Sequence, residues 1–186
     1  MTVLAAEPAA FSTERLDLLP LRVAYAGEMA EVLADPALHA FIGGDPATVD
    51  ELRARYVRQV AGSPDPAVTW WNWVIRLRTE GCLAGTVQAT VEPPVAEIAW
   101  VVGTPWQGRG IAKEAAAGLV AHLGSVPGVR DVIAHIHPDH AASAAVAGAV
   151  GLRPTGEWQD GEVRWQSSLP VSLPASPTGS SSPYPL

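Results

Sequence analysis

Apolar residues recur with two different periods along this chain, and each change of period marks a change of element. Residues 15–21 alternate imperfectly and run into Pro20, which predicts a first strand near a sheet edge. Two helical stretches follow. The first covers residues 25–34 and stops before Asp35-Pro36; the second begins after Asp45-Pro46-Ala47-Thr48 and carries Val49, Leu52, Tyr56, Val57 and Val60 at helical offsets. The segment between them, 35–48, reads as a loop. The period then shortens to two. Residues 69–78, 83–91 and 96–102 are rich in Val, Ile, Trp and Thr and are separated by Glu80-Gly81 and Pro93-Pro94, the pattern of a three-strand meander. A glycine-rich turn leads into a helix marked by Ala112, Ala115, Ala116, Leu119, Val120 and Leu123. Residues 131–137 predict another strand, 139–150 a short helix stopped by Gly151, and 153–169 two final strands around Asp160-Gly161. The order is mixed α and β.

These elements form one expected domain, residues 12–169, between a flexible leader at 1–11 and a tail at 170–186. The tail has five prolines, five serines and few large apolar residues, too little apolar surface to offset its ordering entropy. The formal net charge of −7 argues against a surface that grips nucleic acid or anionic membrane, and fits a neutral or cationic partner better. The single cysteine, Cys82, closes no intramolecular disulfide and reads as a small packed hydrophobe. Residues 1–10 lack the pattern of a secretory signal, and no run approaches the roughly 18 apolar residues of a membrane span. A cytoplasmic protein is expected.

The segment Trp100-Val101-Val102-Gly103-Thr104-Pro105-Trp106-Gln107-Gly108-Arg109-Gly110-Ile111-Ala112-Lys113 carries the chemistry. It joins a buried strand to a helix whose first amides have no intrahelical acceptor. Gly108, Gly110 and Ala112 let a ligand approach the backbone, and a diphosphate there meets both the free amides and the positive end of the helix dipole. The donors would be the amides from Gln107 to Ala112, with charge added by Arg109 and Lys113. The spacing is neither a Gly-x-x-x-x-Gly-Lys-Ser/Thr loop nor a complete Gly-x-Gly-x-x-Gly, since Lys113 stands where the last glycine is required.

The pattern Gln/Arg-x-x-Gly-x-Gly/Ala, met by Gln107, Gly110 and Ala112, resembles the signature of the GNAT acetyltransferase superfamily. Ala96-Glu97-Ile98-Ala99-Trp100, Glu14-Arg15-Leu16, and Ser143 with Gly151-Leu152 eight residues on resemble the branch that includes the ribosomal-protein-alanine acetyltransferases. The resemblance covers residues 12–169 and implies a mixed α/β fold: a mostly antiparallel twisted sheet with one splayed parallel strand pair, flanked by about four helices. It implies acetyl-CoA as cosubstrate, its pantetheine paired with the open edge at Trp100, Val101 and Val102, and residues 131–137 as the partner strand. The acceptor is then an amine-bearing small molecule or a protein N-terminus, acetylated by direct transfer in a ternary complex.

Acyl transfer to an amine needs a base for the amine and a proton for the leaving thiolate. Glu97, on the strand expected beside the thioester, is the candidate base. Many superfamily members place a tyrosine acid where Ala147 stands here; the resembling branch has instead a serine near the start of that helix, matched by Ser143. The asparagine usual three residues before this serine is His140, which inherits the cofactor contact. A hydrogen bond from the Ser143 region back to an N-cap at Asp139 is the purely structural alternative. His135 and His137 share a strand face. Trp71 is expected to face away from Trp70 and Trp73, one face joining the core and the other packing, walling an acceptor pocket or supporting a homodimer.

No metal is expected. The run His135-Ile136-His137-Pro138-Asp139-His140 does match the His-x-His-x-Asp-His pattern of metal-dependent hydrolases, but the remaining histidines, His39 and His122, lie upstream of it. A non-catalytic acyl-CoA-binding module is the other alternative, motivated by the absent tyrosine and by His140.

Overall fold

Period-two burial in the strands and period-3.6 burial in the helices generate a single sheet covered on both faces. A computed structural model describes residues 7–169. The strands are β1 (Phe11–Ser12), β2 (Leu16–Pro20), β3 (Thr69–Leu77), β4 (Leu83–Glu92), β5 (Val95–Val102), β6 (Asp131–Ile136), β7 (Arg153–Gln159) and β8 (Glu162–Ser168). The helices are α1 (Ala26–Val32), entered through a 3-10 turn at Val23–Tyr25, then α2 (Pro36–Ile42), α3 (Val49–Ala61), α4 (Ile111–Gly124) and α5 (Ala141–Ala149). The sheet order is β1-β2-β3-β4-β5-β6-β8-β7, and every neighbouring pair is antiparallel except β5 and β6. This is the expected fold, with five helices among the described residues rather than about four, because α2 forms inside the segment read as a loop.

Two cores share the central strands. On one face Trp73, Ile75, Val87, Ile98 and Val132 pack under Leu119 and Leu123 of α4 and Ala147 of α5. On the other, Val74 and Leu83 meet Met29 and Val32 of α1 and Leu52 and Tyr56 of α3. Each large side chain buried this way contributes about 1.5–3 kcal/mol. Trp71 and Trp73 lie on the same face with ring centroids 6.3 Å apart, contrary to the division expected for them: residues two apart in a strand return to one side. Cys82 is half-buried against the larger core, as expected of a small hydrophobe.

Residues 7–11 of the expected leader are among the described residues. Phe11 pairs in β1, sits edge-on to Trp73 at 5.5 Å and stacks on His122 at 4.7 Å, while Trp73 Nε1 donates to the carbonyl of Ala9 at 2.9 Å. The Pro/Ser-rich tail expected at 170–186 lies outside the described residues. Among the described residues no helix is long and apolar enough to cross a membrane.

The feature that positions the site is how β5 leaves β6. Their register runs Val95↔Asp131, Ala96↔Val132, Glu97↔Ile133 and stops there, although β5 continues to Val102 and β6 to Ile136. Beyond Glu97 the two parallel strands diverge.

Candidate active site

A strand that parts from its neighbour leaves main-chain donors and acceptors without partners, and in β5 the antiparallel register with β4 decides which ones. Val102 pairs with Gly85, Val101 with Thr86 and Trp100 with Val87, and the amide of Gly103 donates to the carbonyl of Ala84 at 2.9 Å. Alternation therefore turns the main chain of Val101 toward β4 and that of Trp100 and Val102 toward the gap. The carbonyl of Val102 already accepts from Nε2 of Gln107 at 3.0 Å. Of the three residues expected to offer the open edge, Trp100 does so with both its N–H and its C=O; Val101 contributes its position on the wall and not its hydrogen bonds.

The strand ends in a turn shaped by two glycines. Gly108 and Gly110 have φ of 72° and 78°, left-handed values that a side chain would strain, and Gly110 is the N-cap of α4 with no side chain capping the helix. The first-turn amides of a 14-residue helix are thus left to an outside acceptor. Arg15 holds this turn from behind. Its Nη1 donates to the carbonyl of Arg109 at 3.1 Å and its Nε to Glu114 at 2.6 Å, and Glu114 also accepts from the hydroxyl of Thr13 at 2.6 Å and the amide of Arg15 at 2.8 Å. Burial alone would push the Glu114 carboxyl up, but these donors outweigh it and hold the group below its ordinary 4.5.

The divergence of β5 and β6, the glycine turn, α2 and the start of α5 enclose a cleft of about 640 Å³. Trp100, Val101, Val102, Gln107, Gly108, Gly110, Ile111, Ala112 and Lys113 line one side, and His140 and Ser143 the other. Two residues singled out in the sequence lie elsewhere. Arg109 is not on the lining, because its guanidinium is paired with Glu80, so Lys113 is the side-chain cation that faces the cleft. Glu97 is also off the lining: it sits where β5 and β6 are still paired, and its Oε1 accepts from Nδ1 of His135 at 2.7 Å.

At the start of α5 the N-cap is His140 and not Asp139: Nδ1 of His140 accepts from the amide of Ser143 at 3.3 Å. The imidazole does here what a capping asparagine does, and it stacks on Phe41 of α2 with centroids 4.1 Å apart. Burial, with His137 nearby, pushes its pKa below the ordinary 6.5, so the ring stays a neutral acceptor. Ala147, the position of the family's tyrosine, is fully buried in the core. The three histidines of the His-x-His-x-Asp-His run serve separate partners, His135 with Glu97, His140 with α5, and His137 beside Asp139 and Phe41, and among the described residues no three His, Cys, Asp or Glu side chains converge.

A second cavity of about 1010 Å³ lies between α3 and the sheet and shares Ile42, Trp100 and Val101 with the cleft. Two compartments therefore meet at Trp100, one reached past α4 and α5, the other past α3. Sequence reasoning did not find α2, the Arg15 clamp or the Glu97–His135 pair. Only α2 had a local signal: Asp35 as N-cap accepting from the amide of Ala37 at 2.9 Å, Pro36 in the first turn and Gly43 at φ 79° after the last.

Residues 15–153 match the family model described as an Acetyltransferase (GNAT) domain. No curated protein matches the chain by sequence. Among solved structures the chain is similar to a GNAT-family acetyltransferase from Bacillus anthracis (18% identity, TM-score 0.72, 87% of this chain and 98% of that one). It is also similar to RimL, the ribosomal L7/L12 alpha-N-protein acetyltransferase, in complex with coenzyme A (17%, 0.73, 87% and 98%). A third is the spermidine N-acetyltransferase from Vibrio cholerae in complex with CoA and spermine (15%, 0.68, 84% and 96%). At such identities the likeness is one of fold.

Proposed function

The chain belongs to the GNAT acetyltransferase family, and from that premise we propose that it moves an acetyl group from acetyl-CoA to a primary amine by direct transfer in a ternary complex. The observation that supports this most is the parting of β5 from β6 in front of an uncapped, glycine-led helix. An acyl-CoA has a matching sequence of groups: pantetheine amides for the N–H and C=O of Trp100, and a diphosphate for the amides of residues 108–112 with Lys113 beside them. Its thioester then lies where the cleft meets the second cavity, and the amine enters from that cavity.

The nitrogen attacks the thioester carbonyl, the tetrahedral intermediate collapses, and the C–S bond breaks with the electron pair on sulfur. Ser143, on the cleft wall, supplies the proton for the thiolate and is reprotonated from solvent. Glu97, oriented by His135 and three residues before Trp100 on β5, takes through a water the proton that the nitrogen of the tetrahedral intermediate loses. The acceptor is a small amine or a protein N-terminus.

Two measurements test the assignment. Calorimetry should detect coenzyme A binding by the intact protein, and absence of binding removes the transferase reading altogether. With acetyl-CoA and a panel of amines followed by thiol release, Ser143→Ala and Glu97→Gln should each lower kcat by roughly 10²-fold or more. Rates unchanged in both variants would refute these two roles.

A further inference from the structure

The second cavity has a chemical bias of its own. On α3, residues 52, 55, 56 and 59 share the face toward the sheet; Leu52 and Tyr56 are buried there, and Arg55, Arg58 and Gln59 stand along the lining. Tyr56 is 3% exposed, and its hydroxyl is buried with no hydrogen-bond partner among the described residues. Burial pushes its pKa up to about 12, so at neutral pH it carries a proton and is a donor awaiting an acceptor. A buried hydroxyl left unpaired costs about 1–3 kcal/mol, which a ligand oxygen would recover.

The guanidinium groups point the same way. Arg53, on the outer side of the same helix, is paired with Asp50 at 2.6 Å, whereas Arg55 and Arg58 belong to none of the ion pairs among the described residues. Two carboxylates reach the lining. Glu51 keeps its charge: its Oε2 accepts from both the amide and the hydroxyl of Thr48 at 2.8 Å in the capping box of α3, and these donors, with Arg55 nearby, hold its carboxyl below the ordinary 4.5. Asp45 lies on the exposed loop before that helix. The lining thus carries both signs, Asp45 and Glu51 against Arg55 and Arg58, which suits a molecule bearing an amine and an anion better than a polyamine. The net charge of −7 suits a cationic partner for the surface as a whole, but this cavity adds guanidiniums at its rim to its carboxylates.

Resting on the acyl-transfer reading above, we infer that the acceptor is an amine whose skeleton also carries an anionic group, a carboxylate or phosphate, received by Arg55, Arg58 and the hydroxyl of Tyr56. The amine end reaches Trp100 and Val101, the residues shared with the donor cleft, while the anion is held on α3.

The experiment uses the full chain with coenzyme A present. Glutamate, an aminoalkyl phosphonate, a short peptide beginning with an acidic residue, spermidine and an uncharged alkylamine are compared for binding by calorimetry and, with acetyl-CoA, for thiol release. The anionic amines should bind and turn over best, and the peptide arm distinguishes a protein N-terminus from a free small molecule as the source of the same chemistry. Arg55→Gln with Arg58→Gln should raise the KM for anionic amines at least about tenfold and leave the KM for acetyl-CoA unchanged. Tyr56→Phe should raise it by a smaller factor. A preference for spermidine or the uncharged amine, no binding of anionic amines to the coenzyme A complex, or an unchanged KM in the double variant would each overturn the inference. If coenzyme A itself does not bind, the failure belongs to the acyl-transfer reading instead.

Discussion

Trp100 and Val101 are adjacent in β5, yet their main chains face opposite ways, and this separates what the strand does for the sheet from what it does for a ligand. The amide of Val101 is turned to β4, where Thr86 is its register partner, and that of Trp100 to the gap. Hydrogen exchange should therefore be slow at Val101 with or without ligand, and at Trp100 fast in the free protein and slow with coenzyme A. Equal protection of both in the free protein would contradict the open edge. Glu114 offers a second residue-scale test. Its native pKa is depressed, so its contribution is present above the unfolded value of about 4.5 and is lost as pH falls through the lower folded value. Glu114→Gln should cost about 1–2 kcal/mol at neutral pH in urea unfolding, with the gap to the parent protein closing in acid. At this scale the sequence revealed residues whose role is set locally. The glycines of the turn follow from spacing, because φ above zero is a property of one residue. The pairing of Arg109 with Glu80, the bond between Glu97 and His135 and the clasp of Arg15 on Glu114 all join distant segments, and no window of sequence contains both partners.

Among the elements, α2 shows how a boundary signal can be read backwards. Asp35-Pro36 ends α1, and the same two residues begin α2 as its N-cap and first-turn proline. Taken as a stop signal alone they hide a helix of seven residues, too short to display a hydrophobic period. None of its residues is fully buried, so it is held by its caps and by the contact of Phe41 with His140. It nevertheless supplies Leu38, Phe41 and Ile42 to the donor cleft. Asp35→Ala should then weaken coenzyme A binding several-fold while leaving the thermal midpoint nearly unchanged, a combination that a core helix would not give. The longer elements were legible because β3, β4, β5, α3 and α4 each run for eight residues or more, enough for their periods to show.

For the molecule as a whole, the order of elements was sufficient for the architecture: a meander, a glycine-led helix and a returning strand have few ways to pack once the crossover from β5 to β6 is parallel and the other pairings antiparallel. What the order does not contain is where β5 and β6 separate, since past the last pair β5 continues with apolar residues and β6 keeps its alternation through Ala134, His135 and Ile136. Beyond that point, at Trp100 and Val101, the cleft under α4 and α5 and the cavity under α3 share lining residues. Under the proposed transfer each reactant has its own doorway, and neither must leave for the other to enter. A single molecule can occupy both rooms: coenzyme A tethered through its sulfur to the nitrogen of an amino acid should thread the passage at Trp100, compete with acetyl-CoA and bind more tightly than coenzyme A itself. Binding no tighter than that of coenzyme A would mean that the passage is closed in solution.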